Sequence, residues 1–166
     1  MVKTSKNPVG TLRSKQKTLT RELILEIATK QFNENGYRKT TIRGIATEAG
    51  IAVGTIFSHF PDKLALLCSI LYDDLAEEIE KAISSIPEGI PVYEEFGHCA
   101  GCFYRFWFQQ IDVARTFFTE LAFSNSEWIS RFENQIQGFL DIFIAKLEAL
   151  KKEGSIDPST DCGITA

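Results

Sequence analysis

The chain has 166 residues, 44% hydrophobic and 24% charged, a balance that excludes a disordered polypeptide and supports a core without disulfide or metal staples. Its net charge of −4 is unevenly spread: residues 1–63 hold 11 Lys and Arg against 5 Asp and Glu, and residues 64–166 hold 7 against 17. A basic head on an acidic body predicts a polyanion bound at one end only.

Residues 1–17, Lys-rich with Pro8 and Gly10, read as a flexible basic arm. From about Thr18 to Asn35, Ile24, Ile27, Ala28, Gln31 and Phe32 recur at spacings of three and four, an amphipathic helix closed by Asn35-Gly36. Two short helices follow, near 41–48 and 53–59, separated by Gly50-Ile51-Ala52. Pro61-Asp62 opens a longer helix to about Ser84, with Leu64, Leu67, Leu71, Leu75, Ile79 and Ile83 in one stripe. Ser85 to Pro91 is a loop. The helix over about 92–110 ends in Tyr104-Arg105-Phe106-Trp107-Phe108, apolar nearly all round, which predicts deep burial of its second half. A helix near 112–123 and the punctuation Ser124-Asn125-Ser126 precede a last helix over about 126–152. Its stripe runs Ile129, Phe132, Ile136, Phe139, Phe143, Leu147, Leu150, and it closes on Lys151-Lys152 and Gly154. The expected fold is all-α, about seven helices. The chain divides into a first helical region over 18–62 and a longer helical body over 63–166.

No apolar run reaches the ~20 residues of a membrane span, since Arg105 cuts the best candidate, and no membrane partner is expected. The polar N-terminus shows no secretory signal, and four irregularly spaced cysteines fit the cytoplasm. Neither a phosphate loop, a nucleophile elbow nor an HExxH pattern occurs, so neither an enzyme nor a cofactor is expected.

Helix, glycine turn and helix between Thr41 and His59 outline a helix-turn-helix. Thr41 can cap the first short helix, Gly50 supplies the positive φ of the turn, and Ile45, Ala46, Ile51 and Ile56 face inward. Val53, Gly54, Thr55, Ser58 and His59 remain outward, all short enough for a major groove. From Arg21 to about Leu67 the chain resembles the N-terminal domain of TetR-type bacterial transcriptional regulators. The matching residues are Ile24 to Phe32, Asn35-Gly36-Tyr37, Thr40-Thr41-Ile42, Ile45-Ala46, Ala49-Gly50-Ile51, Gly54-Thr55-Ile56-Phe57, His59-Phe60, Lys63 and Leu66-Leu67.

The resemblance implies a homodimer on a palindromic double-stranded operator, with a helix-turn-helix DNA-binding domain over 18–62 whose second short helix enters the major groove, and an incomplete ligand-binding and dimerisation body over 63–166, the expected output being ligand-responsive repression. Carried over, Thr41 and Arg43 meet phosphate and base edges, Thr55, Phe57, Ser58 and His59 lie on the reading helix, and Lys63 touches phosphate. The basic arm, notably Arg13, Lys15 and Lys17, is a candidate for added phosphate or minor-groove contacts. The chain departs from the family at Ala52, Val53 and Phe57, where serine, lysine and tyrosine are usual. The reading helix therefore lacks a side-chain cap, and Val53 is expected to pack on thymine methyls.

Of 19 Phe, Trp and Tyr, 14 lie beyond residue 90. Phe96, Phe103, Phe106, Trp107, Phe117, Phe118, Phe139 and Phe143, with Tyr104, are either plain core or the lining of a pocket for an apolar or aromatic small-molecule inducer, which the resemblance places between the fourth, fifth and seventh helices. Tyr104, Arg105, Gln109 and Gln110 are polar candidates to orient it. The alternative is a thiol or metal sensor with the same DNA head, using His98, Cys99 and Cys102, which share a side of one helix, and Cys68 as a further ligand. Asp157-Pro158 looks like the start of a further helix. TetR-type chains usually continue with two long helices, so a truncated chain with an exposed seam along 126–152 is expected.

Overall fold

Seven α-helices and no strand make up the described residues of the computed structural model, which are 8–122, 127–157, 159 and 161–163. The helices are α1 (Pro8–Asn35), α2 (Ile42–Glu48), α3 (Val53–Phe57), α4 (Lys63–Ser84), α5 (Val92–Gln109), α6 (Ile111–Ala122) and α7 (Trp128–Lys152). Two compact units divide between Ile70 and Leu71, inside α4 rather than before Lys63. The opening turns of α4 belong with the first unit because Ala65, Leu66, Leu67, Cys68 and Ile70 are buried there.

In the first unit, Ile24, Ala28 and Phe32 of α1 form a core with Ile45, Ala46, Ile56, Phe60, Leu66 and Leu67. Short-range hydrogen bonds set the corners. Gly36 takes φ +77°, and its N–H donates to Phe32 O at 3.0 Å, ending α1 in the left-handed conformation that a side chain resists. The buried Thr40 hydroxyl bridges to Gln31 O and Gly36 O, both at 3.0 Å. Thr41 caps α2 by accepting from Gly44 N at 3.0 Å, and Gly50 takes φ +65° in the turn to α3. Asp62 caps α4 through Ala65 N at 2.7 Å.

α1 starts ten residues before the expected Thr18, so residues 8–17 are helical rather than a flexible arm; residues 1–7 lie outside the described residues. Proline is tolerated in a first turn, and Leu12, Arg13, Lys15, Gln16 and Lys17 are good helix formers. The Thr18 and Thr20 hydroxyls fold back onto Ser14 O and Gln16 O at 3.2 and 2.9 Å.

In the second unit, Ala82, Cys99, Cys102, Phe139 and Phe143 form one core, with Ile79, Ile83, Val92, Phe103 and Leu140 against it. A second aromatic group joins Tyr72, Trp128, Phe132, Phe117 and Trp107, with Phe117 and Phe132 4.8 Å apart and Trp107 stacked on Phe117 at 5.6 Å. The expected deep burial of the second half of α5 does not occur. Tyr104 and Phe108, one turn apart, stack on each other at 5.6 Å while 71% and 62% exposed. A helix apolar all round needs neighbours on every side, whereas among the described residues the aromatic side chains of this half that meet α6 and α7 are Phe103 and Trp107.

The stripe of α7 faces inward, with Phe132, Phe139 and Phe143 buried. Among its described residues Ile142 is the one large apolar side chain exposed, in place of the expected seam. Ser124-Asn125-Ser126 lies outside the described residues. Asp157 accepts from Ser159 N and Oγ at 2.7 and 2.6 Å, where a helix start was expected.

Candidate nucleic-acid interface and ligand cavity

Buried Ile45, Ala46 and Ile56 pin α2 and α3 to the first core and leave the remaining side chains outward. Thr41, Arg43, Gly54, Phe57 and Ser58 are exposed, and Val53, Thr55 and His59 are half-buried. With its oxygen capping α2, Thr41 keeps a hydroxyl proton to donate outward. Ser58 Oγ donates to Thr55 O at 2.7 Å. Gly54 has an ordinary φ, and a Cβ there would meet nothing within 4 Å, so nothing within the chain requires glycine at this point of α3. Ala52 precedes α3 without a side-chain cap, as expected.

No carboxylate occurs from Ala49 to Pro61, so the exposed row carries no negative charge of its own. Glu48, just before it, is tied to Lys30 at 2.7 Å and Gln31 at 2.6 Å, which lowers its pKa and braces α2 on α1. The His59 imidazole lies 6.3 Å from the Phe60 ring. Burial, then the charges of Lys17 and Arg21, hold its pKa below the ordinary value.

Lys63, expected to touch phosphate, also has partners within the chain. Its ammonium donates to Tyr37 O and Thr40 O at 2.8 and 3.0 Å and lies 4.2 Å from the Tyr37 ring centre, so it ties the α1–α2 connection. Exposed Arg38 and Lys39 in that connection are cations that the sequence reading did not single out, whereas Lys17, named there with the basic arm, acts electrostatically on His59. Two adjacent cations in a turn next to a capping threonine were the available signal.

A cavity of about 250 Å³ opens in the second unit, lined by Val92, Tyr93 and Phe96 of α5, Leu140, Phe143, Ile144 and Leu147 of α7, and Cys162. Of the expected ligand residues, Phe96 and Phe143 line it. Phe139 packs against both of them, and Phe103 against Phe139 at 5.0 Å. Trp107 and Phe117 belong to the second aromatic group. Phe118 touches that group at 5.1 Å from Trp107 and is 55% exposed, and Tyr104 faces outward. α4 supplies no lining residue, contrary to the expected placement. Its Ile79, Ala82 and Ile83 are instead packed into the first cluster of this unit. Lys146 lies 5.8 Å from the centre of the Phe143 ring and sets an ion pair with Glu95 beside the apolar lining.

The His98, Cys99 and Cys102 set does not converge. His98 Nε2 is 2.9 Å from Ser85 Oγ and 4.0 Å from Cys102 Sγ, whereas Cys99 is wholly buried in the core, where burial raises its thiol pKa. Cys68 is buried in the first unit, and burial, with Asp62 adding to it, pushes its thiol up to about 12. Among the described residues no group of three or more His, Cys, Asp or Glu is placed to hold a metal ion. None of their helices is long and apolar enough to cross a membrane.

Residues 24–70, which carry the whole helix-turn-helix, match the bacterial regulatory proteins of the tetR family. The chain is 26% identical over 138 residues to the fatty acid metabolism regulator protein of Bacillus subtilis, covering 83% of this chain and 71% of that one. It is 29% identical over 151 residues to the transcriptional repressor KstR2 of Rhodococcus jostii, covering 83% and 68%. The crystal structure of a transcriptional regulator FadR from Bacillus subtilis in complex with stearoyl-CoA superimposes with a TM-score of 0.61, at 26% identity, over 85% of this chain and 76% of that one. Helical architecture, helix-turn-helix geometry and sequence agree: residues 24–70 form a helix-turn-helix domain of the tetR family of bacterial regulatory proteins, and the rest of the chain is similar to regulators that carry it.

Proposed function

We propose that this protein is a transcriptional repressor that binds a palindromic operator as a homodimer and is released by an apolar small molecule. The observation that carries the DNA half is the carboxylate-free outward row Thr41, Arg43, Val53, Gly54, Thr55, Phe57, Ser58 and His59, held on a buried core. Arg43 supplies the bidentate donor suited to guanine or phosphate, and Val53 and Thr55 the short apolar surface suited to thymine methyls. In a dimer, two copies of α3 about 34–36 Å apart enter successive major grooves.

The ligand half rests on the apolar cavity between α5 and α7. Its apolar lining suits a flexible hydrocarbon chain, and an anionic head group there would compete with Glu95 for Lys146. The likeness to a regulator solved with stearoyl-CoA supports a fatty acyl thioester as the class of inducer. α4 contributes residues to both units, and through it ligand binding is expected to change operator affinity by its differential affinity for the two states.

The test is selection of duplexes from a random pool at two salt concentrations, followed by titration of the selected complex with acyl-CoAs of increasing chain length. Enrichment of a palindrome by a dimer, salt-weakened binding and release by long-chain acyl-CoA are the expected results. A protein that enriches no sequence would overturn the operator reading, and a selected complex indifferent to every acyl-CoA would overturn the ligand class.

A further inference from the structure

The side of α1 that packs on the first unit changes chemistry along its length. Ile24, Ala28 and Phe32 are buried on it. Towards the N-terminus the same side continues as Arg21, Lys17 and Arg13, at steps of three and four residues that keep one face of a helix. Arg21 is still half-buried: its guanidinium lies 5.0 Å from the Phe60 ring centre and 3.4 Å from Ser69 Oγ. Lys17 and Arg13 are exposed, and the Lys17 charge is felt by His59 at the end of the α3 segment.

Among the described residues neither exposed cation has a carboxylate partner. The ion pair among the described residues of this unit is Lys30–Glu48, and Glu22, the first acid in the chain, lies on the opposite flank with Lys15. A helix face that is apolar where it meets protein and cationic where it runs past the core is matched to an anion there. The exposed Leu12, Leu19 and Leu23 lie on a different side of α1 and take no part in this ridge.

We propose that the N-terminal turns of α1 form a rigid phosphate-binding ridge, in which Arg13 and Lys17 contact the DNA backbone beyond the groove read by α3. The inference rests on the DNA-binding reading above and adds a second element to its footprint. Successive cations on the ridge are separated by about 6 Å along the helix, so each meets a different phosphate.

The test uses the whole chain and a labelled mixed-sequence duplex, titrated between roughly 50 and 200 mM salt. Neutralising both cations (R13A/K17A) is expected to lower the log–log salt slope by about 1.8, so that affinity falls about tenfold less over that range. K15A, off the ridge, is expected to change the slope by less than half as much. Gln16→Pro keeps every charge but uncouples Arg13 from the helix, and is expected to remove Arg13's share, about 0.9. An unchanged slope in Gln16→Pro would show a flexible tail and overturn the rigid ridge. Wild-type protein with no salt-dependent DNA binding would refute the regulator reading itself, whereas a normal wild-type slope that R13A/K17A leaves intact would refute the ridge alone. Binding to anionic phospholipid vesicles that R13A/K17A abolishes, with the DNA slope unmoved, would assign the ridge to a membrane and overturn the proposal.

Discussion

Gly54 and His59 are the residues at which folding and binding make separate demands. Nothing in the chain crowds Gly54, and its φ is ordinary, so Gly54→Ala is expected to stabilise the first unit by up to about 1 kcal/mol through helix propensity. The added methyl would stand where α3 approaches the groove, weakening operator binding roughly tenfold. Paired thermal melts and DNA titrations check both signs, and a variant that is more stable and binds equally well would refute the close approach.

His59 is held below its ordinary pKa by burial, Lys17 and Arg21, so its contribution to stability is present above about pH 6.5 and is lost as pH falls below that, through the lowered value in the folded protein. Bound phosphate reverses the bias by favouring imidazolium. DNA affinity is therefore expected to rise as pH falls below about 7, by at most tenfold per pH unit, and His59→Gln should flatten that dependence in binding titrations.

Turns and helix faces give sharper tests at the scale of the element. Gly50 at φ +65° has open space around it, so Gly50→Ala costs backbone strain of about 1–2 kcal/mol, readable as a lower melting temperature. On α5 and α6, burial separates neighbouring aromatics that look alike in sequence. Phe117, 2% exposed, is expected to cost about 3–5 kcal/mol when truncated to alanine. Phe108, 62% exposed, is expected to change stability by no more than about 0.5 kcal/mol as Phe108→Ser. Urea unfolding of the two variants measures the difference, and equal losses would contradict the outward orientation of Phe108.

For the molecule as a whole, the proposal separates a DNA head from a ligand-binding body. Ile144→Trp places a large side chain in the 250 Å³ cavity. It is expected to abolish release by long-chain acyl-CoA while leaving unliganded DNA affinity within about twofold, as befits a change with no contact to DNA. Mobility-shift titrations with and without acyl-CoA check this, and equal loss of both activities would refute the separation.

What the sequence alone determined is local in the chain: the seven helices, and the corners built by Gly36, Thr41 and Gly50, whose hydrogen bonds span a few residues. The helix-turn-helix was legible for that reason, since its turn and buried face lie in one contiguous stretch. Periodicity states which residues share a face, but not whether another element covers it. Only the tertiary structure decided that Tyr104 and Phe108 face outward, that Lys63 turns back onto Tyr37 and Thr40, and that Phe96 and Phe143 share a cavity with Tyr93, Leu147 and Cys162. Each depends on packing between residues distant in sequence, where the same apolar or charged side chain fits a core, a surface or a site equally well until its neighbours are in place.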